Sequence, residues 1–273
     1  MRSCQKIRGD YREIKYSRKN PNKSLVLWIL GLFCVLGCME PVGNAQFRIA
    51  QLLVSEKPMT IQLFRGGKEI STQKLSFGAL SEYTSVSAGS YSVRVSTAGE
   101  VLLDQEIGLG SKGKYSICLY GLPVKDEITN SSTPGNTLHK IAEGEEASDP
   151  NGLLPQLKIL NDIFYGDHSK AKVRWVHAVP GAQDLNAHLV NTVTKDTISL
   201  KALKYPDKST FLDVKPGHTE IFWNLSINKR KVAQIIPVLE EDKLYTFFVF
   251  PQRKNYLDAL QVLTASVENR RKP

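Results

Sequence analysis

"AKVRWVHAVPGAQDLNAHL", residues 171–189, reads as a strand, a turn and a second strand. Val173 and Trp175 alternate with Arg174 and Val176 at period two, the spacing of a strand. The stretch has a sister in the same chain. "AQFRIAQLLVSEKPMTIQL", from Ala45, aligns with it without a gap, 126 residues earlier. "LSFGALSEYTSVSAGSYSVRV" from Leu75 then aligns with "LKYPDKSTFLDVKPGHTEIFW" from Leu203, and "KYSICLYG" from Lys114 with "LYTFFVFP" from Leu244. Three collinear blocks whose offset drifts slowly mark an internal duplication with small loop insertions.

Each copy is made of strands. Tyr91, Val93 and Val95 share parity with Thr219, Ile221 and Trp223, and Gly89 and Gly217 fall at one shared turn where positive φ is expected. "RGGK" at 65–68 and "INKRK" at 227–231 read as hairpin turns. Neither copy carries a convincing helical period. Short strands separated by turns predict an all-β chain: two tandem immunoglobulin-like or transthyretin-like β-sandwich domains after an N-terminal signal segment. The first sandwich is placed at 46–123 and completed by a strand within 153–164. The second is placed at 170–268. The run 257–268 reads as its closing strand, although its spacing also allows a short helix. Between them, 125–152 is polar, with six acids against two lysines, and reads as a flexible linker.

The net charge of +9 invites a nucleic-acid reading, which its distribution excludes. Residues 1–24 hold eight Lys and Arg against two acids, so two thirds of the excess lies before the fold begins. A fifteen-residue apolar run follows at 25–39, shorter than the ~20 residues of a membrane-spanning helix. Basic then apolar is the order of an export signal over 1–45. "VLGC" at 35–38 resembles a lipobox, with cleavage before Cys38 and a lipid anchor on it. "PVGNAQ" at 41–46 offers ordinary cleavage before Gln46 instead. An uncleaved anchor is the third option. All three place the body outside the cytoplasm, in the periplasm or at the outer membrane or cell surface. Cys118 is the one cysteine of the body, so no disulfide is expected within the mature chain.

The blocks resemble the bacterial extracytoplasmic domain of unknown function family number 4397, in two copies spanning nearly all of 46–265. The resemblance rests on the arginine–apolar–valine–histidine strand at 174–177, the Phe77–Gly78 pair and the alanine–glycine turn before Tyr91. It implies an exported immunoglobulin-like or transthyretin-like sandwich of unsettled biochemistry. The overall plan, with residues 228–250, also resembles the periplasmic accessory protein of alginate O-acetylation. That resemblance implies service to an acetylation complex on an exported polysaccharide.

Candidate chemistry is sparse. His177 stands where the sister copy has Gln51, and reads as a strand-end residue that bonds backbone in the next turn. A metal or enzymatic site around His177, with His168, His188 and Asp184, is the alternative. Arg48 and Arg174 occupy one position in both copies. Each is read as spanning a sheet edge to a carboxylate, so that charge reversal destabilises its own unit. Phe222 points away from the core that Trp223 enters. It serves inter-domain packing or, beside Lys229, Arg230 and Lys231, a groove for an acidic polysaccharide. There is no G-x-S-x-G elbow, no H-E-x-x-H helix and no phosphate loop. "GLGSKGK" at 108–114 leads into a strand, and "YGDHS" at 165–169 packs Asp, His and Ser too close in sequence for a triad. No catalytic residue, metal or cofactor is expected. The reading is a non-catalytic envelope module that binds polysaccharide or a partner protein, with no nucleic acid, and an accessory acetylation subunit as the alternative. Intact mass of the mature chain separates the cleavage readings: an acylated Cys38 or a Gln46 start.

Overall fold

The computed structural model describes residues 43–122, 153–182, 184–225, 232–235, 238–252 and 260–268. Cys38 with most of the signal segment, the acidic stretch 125–152, and Lys229, Arg230 and Lys231 lie outside the described residues. Seventeen strands are described, in four sheets.

In the first sandwich, the inner sheet runs β4 (Ala79–Leu80), β1 (Asn44–Leu53), β8 (Lys114–Gly121), β9 (Gln156–Asn161), with β5 (Thr84–Ser87) beside β4 on the same edge of β1. The outer sheet runs β3 (Lys68–Leu75), β2 (Met59–Arg65), β6 (Gly89–Thr97), β7 (Glu100–Leu109). The second sandwich repeats this order. Its inner sheet is β13 (Leu212–Val214), β10 (Ala171–His177), β16 (Lys243–Pro251), β17 (Leu260–Glu268), and its outer sheet is β12 (Thr197–Leu203), β11 (Leu185–Asn191), β14 (Thr219–Leu225), β15 (Val232–Ile235). The duplication therefore extends to strand pairing. β1 runs parallel to β8 as β10 does to β16, and the bridge Ala50–Leu80 recurs as Val176–Lys208. The run from Leu260 is strand, not helix.

Turn chemistry follows the sequence. Gly66 and Gly67 both take positive φ between β2 and β3, as a tight two-residue hairpin requires. Before each central inner strand, a tyrosine hydroxyl caps the turn: the Gly110 amide donates to Tyr115 at 3.1 Å, and the Glu240 amide to Tyr245 at 2.9 Å.

Each sandwich has its own core. Phe47, Ile61, Tyr91, Val93 and Ile117 pack inside the first; Val173, Trp175, Leu189, Trp223 and Phe247 pack inside the second. A third apolar cluster joins them. Ala50, Leu52, Cys118, Tyr120 and Leu160 from one inner sheet meet Val176, Ala178, Phe248, Phe250 and Ala265 from the other. Both inner sheets are thus covered on both faces, which explains the near-continuous apolar runs of β8 and β16. The layer order is outer, inner, inner, outer. At one end of the interface, the Phe77 ring meets Phe250 edge-on at 5.4 Å. Gly78, at φ 78°, leaves room that a Cβ would take from the Phe250 ring at 3.0 Å.

The polar centre of this interface is a buried clamp. Arg48 Nε donates to Ser116 on the neighbouring parallel strand at 2.8 Å, and Arg174 Nε donates to Thr246 at 3.1 Å. Both contacts join register partners, so the duplication carries an arginine–hydroxyl pair in each sheet. One carboxylate serves both. Asp162, just past β9, accepts from Arg174 Nη2 and from Ser116 at 2.6 Å, and lies 3.8 Å from Arg48 Nη2. Tyr83 donates to it at 2.7 Å, and its ring lies 4.6 Å from the Arg48 guanidinium carbon. Burial pushes the Tyr83 hydroxyl pKa well up, so the phenol stays a donor.

This corrects two expectations. Arg48 and Arg174 do not span sheet edges but lie on facing sheets. They do not act separately, because both converge on Asp162. Phe222 does not pack between the sandwiches: its neighbours Ile221 and Trp223 point into the second core, so its side chain faces away on the outermost layer.

Removing Asp162 would strand two buried cations, a loss of about 3–5 kcal/mol. Asp162→Ala is expected to lower the denaturation midpoint of both sandwiches together, read by urea titration followed by far-UV circular dichroism for the whole fold and by Trp175 and Trp223 fluorescence for the second sandwich.

Candidate functional site

The second sandwich opens along the flank where its two edge strands, β12 and β13, face each other. A cavity of about 340 Å³ lies there, of the size that holds small ligands. Its floor is the margin of the core: buried Leu189 and Val214 and the partly buried Ile198. Its rim carries Lys170, Asn191, Asp196, Asp213 and Lys215.

Local structure fixes the rim. Asn191 ends β11 and folds into its own turn, accepting from the Val193 and Thr194 amides at 3.0 Å. Lys195 takes positive φ and delivers Asp196 to the start of β12. Lys215 follows β13 on the opposite sheet, and its ammonium meets Asp196 at 2.8 Å. This pair therefore bridges the mouth from sheet to sheet. The bond from Lys215 holds the Asp196 carboxyl below its ordinary pKa, with Thr194 adding a second donor. Both partners are well exposed, so the bridge is weak and open to exchange with a ligand. Asp213 takes the Lys172 ammonium, and Lys170 sits 3.3 Å from Asp167. Every charged group on the rim thus has a partner of opposite sign.

The residues singled out in the sequence go elsewhere. His177 is fully buried at the end of β10, where Nδ1 accepts the Val179 amide at 3.3 Å and the ring meets Tyr205 edge-on. A surface-binding role for His177 is corrected on that ground, since no ligand reaches it. Gln51 does the same in the first copy: its Oε1 accepts the Leu53 amide at 3.2 Å, also two residues on. The two side chains differ but supply one acceptor to one turn. His188 bonds Ser199 at 2.8 Å and His168 bonds Asp242 at 2.8 Å. These histidines diverge to separate partners, and among the described residues no three His, Cys, Asp or Glu gather as a metal site. Phe222 lies half-buried on the outer face of β14, in register with His188. Cys118 is buried in the interface, where desolvation pushes its thiol up to about 12 and keeps it protonated at neutral pH.

Sequence reasoning missed the rim. One signal was present: at the aligned positions, Lys170, Asp213 and Lys215 replace Asn44, Ser85 and Ser87.

No family model and no curated protein matches the chain. Among solved structures it is similar to a candidate cell adhesion protein from Bacteroides ovatus, at 9% identity over 85% of this chain and 99% of that one, with a TM-score of 0.28. It is similar to the tip fimbrial protein Mfa3 from Porphyromonas gingivalis, at 6% identity over 84% and 100%, with a TM-score of 0.29. It is also similar to the CBMbc module (family CBM26) of Eubacterium rectale Amy13K in complex with maltoheptaose, at 11% identity over 81% and 97%, with a TM-score of 0.23.

The shared acceptor gives a direct test. His177→Gln is expected to keep stability within about 0.5 kcal/mol, whereas His177→Ala loses about 1–3 kcal/mol by leaving a buried amide without its acceptor. Thermal unfolding of the two variants reads the difference.

Proposed function

We propose that this protein is an exported, non-catalytic module of the cell envelope that binds polysaccharide, with the flank pocket of the second sandwich as its site. Attachment to the membrane through an acylated Cys38 belongs to this reading. The observation that supports it is the pocket itself: an apolar floor under a rim of paired lysines and aspartates.

The chemistry suits a sugar. A sugar ring presents C–H faces to an apolar floor and hydroxyls to the rim. Each hydroxyl both donates and accepts; lysine only donates and carboxylate only accepts, so alternating rim charges satisfy both needs. The buried ionisable groups are otherwise engaged: Arg48, Arg174 and Asp162 hold the interface, and the Cys118 thiol stays protonated. That assignment leaves them to structure, and the pocket to binding.

Affinity electrophoresis of the mature chain through gels containing dextran, mannan, xylan or alginate tests the reading. Retardation by at least one polysaccharide, reversed by its free oligosaccharide, is expected. Unchanged mobility in all four gels would overturn it.

A further inference from the structure

The two copies treat the same place differently. In the first, Arg65 and Tyr91 are neighbours across β2 and β6, following the register that pairs Phe64 with Ser92. The Arg65 guanidinium carbon lies 5.8 Å from the centre of the Tyr91 ring, and its Nη2 lies 3.0 Å from where a Cβ on Gly89 would sit. The Tyr91 hydroxyl continues along the flank to donate to the Ser87 carbonyl. Two of the largest side chains in the alphabet thus occupy the flank of the first sandwich.

In the second, the equivalent register pair is Asn191 and Thr219. Asn191 turns back into its own loop, with Nδ2 3.1 Å from a Cβ position on Gly217, the counterpart of Gly89. Thr219 reaches only as far as the Gly217 carbonyl, at 3.3 Å. The backbone frame is kept, the plug is gone, and the cavity of about 340 Å³ stands there with Asn191 on its rim.

We infer that the second sandwich binds a ligand at the place the first copy fills with Arg65 and Tyr91, and that its pocket takes an uncharged, hydroxyl-rich sugar unit. This deepens the polysaccharide reading and rests on it. The charge balance selects the class. Lys170, Lys215, Asp196 and Asp213 sum to zero, and each has an opposite partner. An anionic sugar engaging Lys215 would compete with Asp196 and bring its charge beside that carboxylate; a cationic one would meet Lys215 in the same way. A neutral diol can insert between the two, accepting from the ammonium and donating to the carboxylate, without stranding either.

The first copy supplies the test variant. In Thr219→Tyr the new hydroxyl would lie within reach of the Lys215 carbonyl, as Tyr91 reaches Ser87, so the side chain refills the pocket on a frame already built for it. Titration calorimetry of the mature chain with mannan and dextran oligosaccharides, and with oligoalginate as the anionic control, reads the outcome. A neutral oligosaccharide should bind at least tenfold more tightly than oligoalginate, and Thr219→Tyr should weaken it at least tenfold with an unchanged melting temperature. Should that variant fail to fold, the exposed double variant Asp196→Ala with Lys215→Ala takes its place, with a similar loss expected. Undiminished binding by a folded variant, or oligoalginate binding as tightly as the neutral sugars, overturns the pocket assignment while leaving polysaccharide binding elsewhere on the surface intact. No binding to any of the three overturns the pocket assignment, and unchanged mobility in all four polysaccharide gels besides overturns both proposals.

Discussion

One buried carboxylate organises this molecule. Asp162 stands between two arginines that the duplication placed on facing sheets, and it is contributed by the residue just after β9. A buried guanidinium without a counter-ion is costly enough that neither Arg48 nor Arg174 could be kept in the interface without it. Ser116, Thr246 and Tyr83 complete the set by orienting the charges, so that the apolar contacts around Ala50, Val176, Tyr120 and Phe248 close over a matched polar centre. The apolar cluster between the inner sheets supplies the packing, and this centre neutralises the charges buried within it.

The duplication explains what was legible in advance. Period-two alternation and three aligned blocks are enough to read an all-β chain of paired sandwiches, because strand identity depends on local pattern. Equivalent residues also carry equivalent jobs: Tyr115 and Tyr245 cap one turn, and Gln51 and His177 feed one amide. The histidine looked chemical because histidine often is. Its role follows from strand position, which glutamine fills as well.

What stayed hidden depends on contacts between the copies or on differences between them. A face-packed arginine and an edge arginine have the same strand parity, so Arg48 could not be told apart until the second sheet was seen against it. Phe222 presented the converse problem: its parity was readable, but not whether the first sandwich would cover that face. The pocket is a difference signal. Tyr91 and Thr219 were already aligned, and their change in size is the trace of the opening, but an alignment read for likeness passes over it. The rim lysines and aspartates are spread from 170 to 215 and converge only once β12 and β13 become facing edges.

The parallel ladder between β1 and β8 has a mechanical meaning. Eight consecutive residues, Gln46 to Leu53, are held in register along the strand that opens the first sandwich. A tension entering at Asn44 draws β1 along its own axis and loads all of these bonds in shear at once, where a perpendicular pull would break them one after another. A block pulled from that side and held at the far sandwich would therefore yield late and all together.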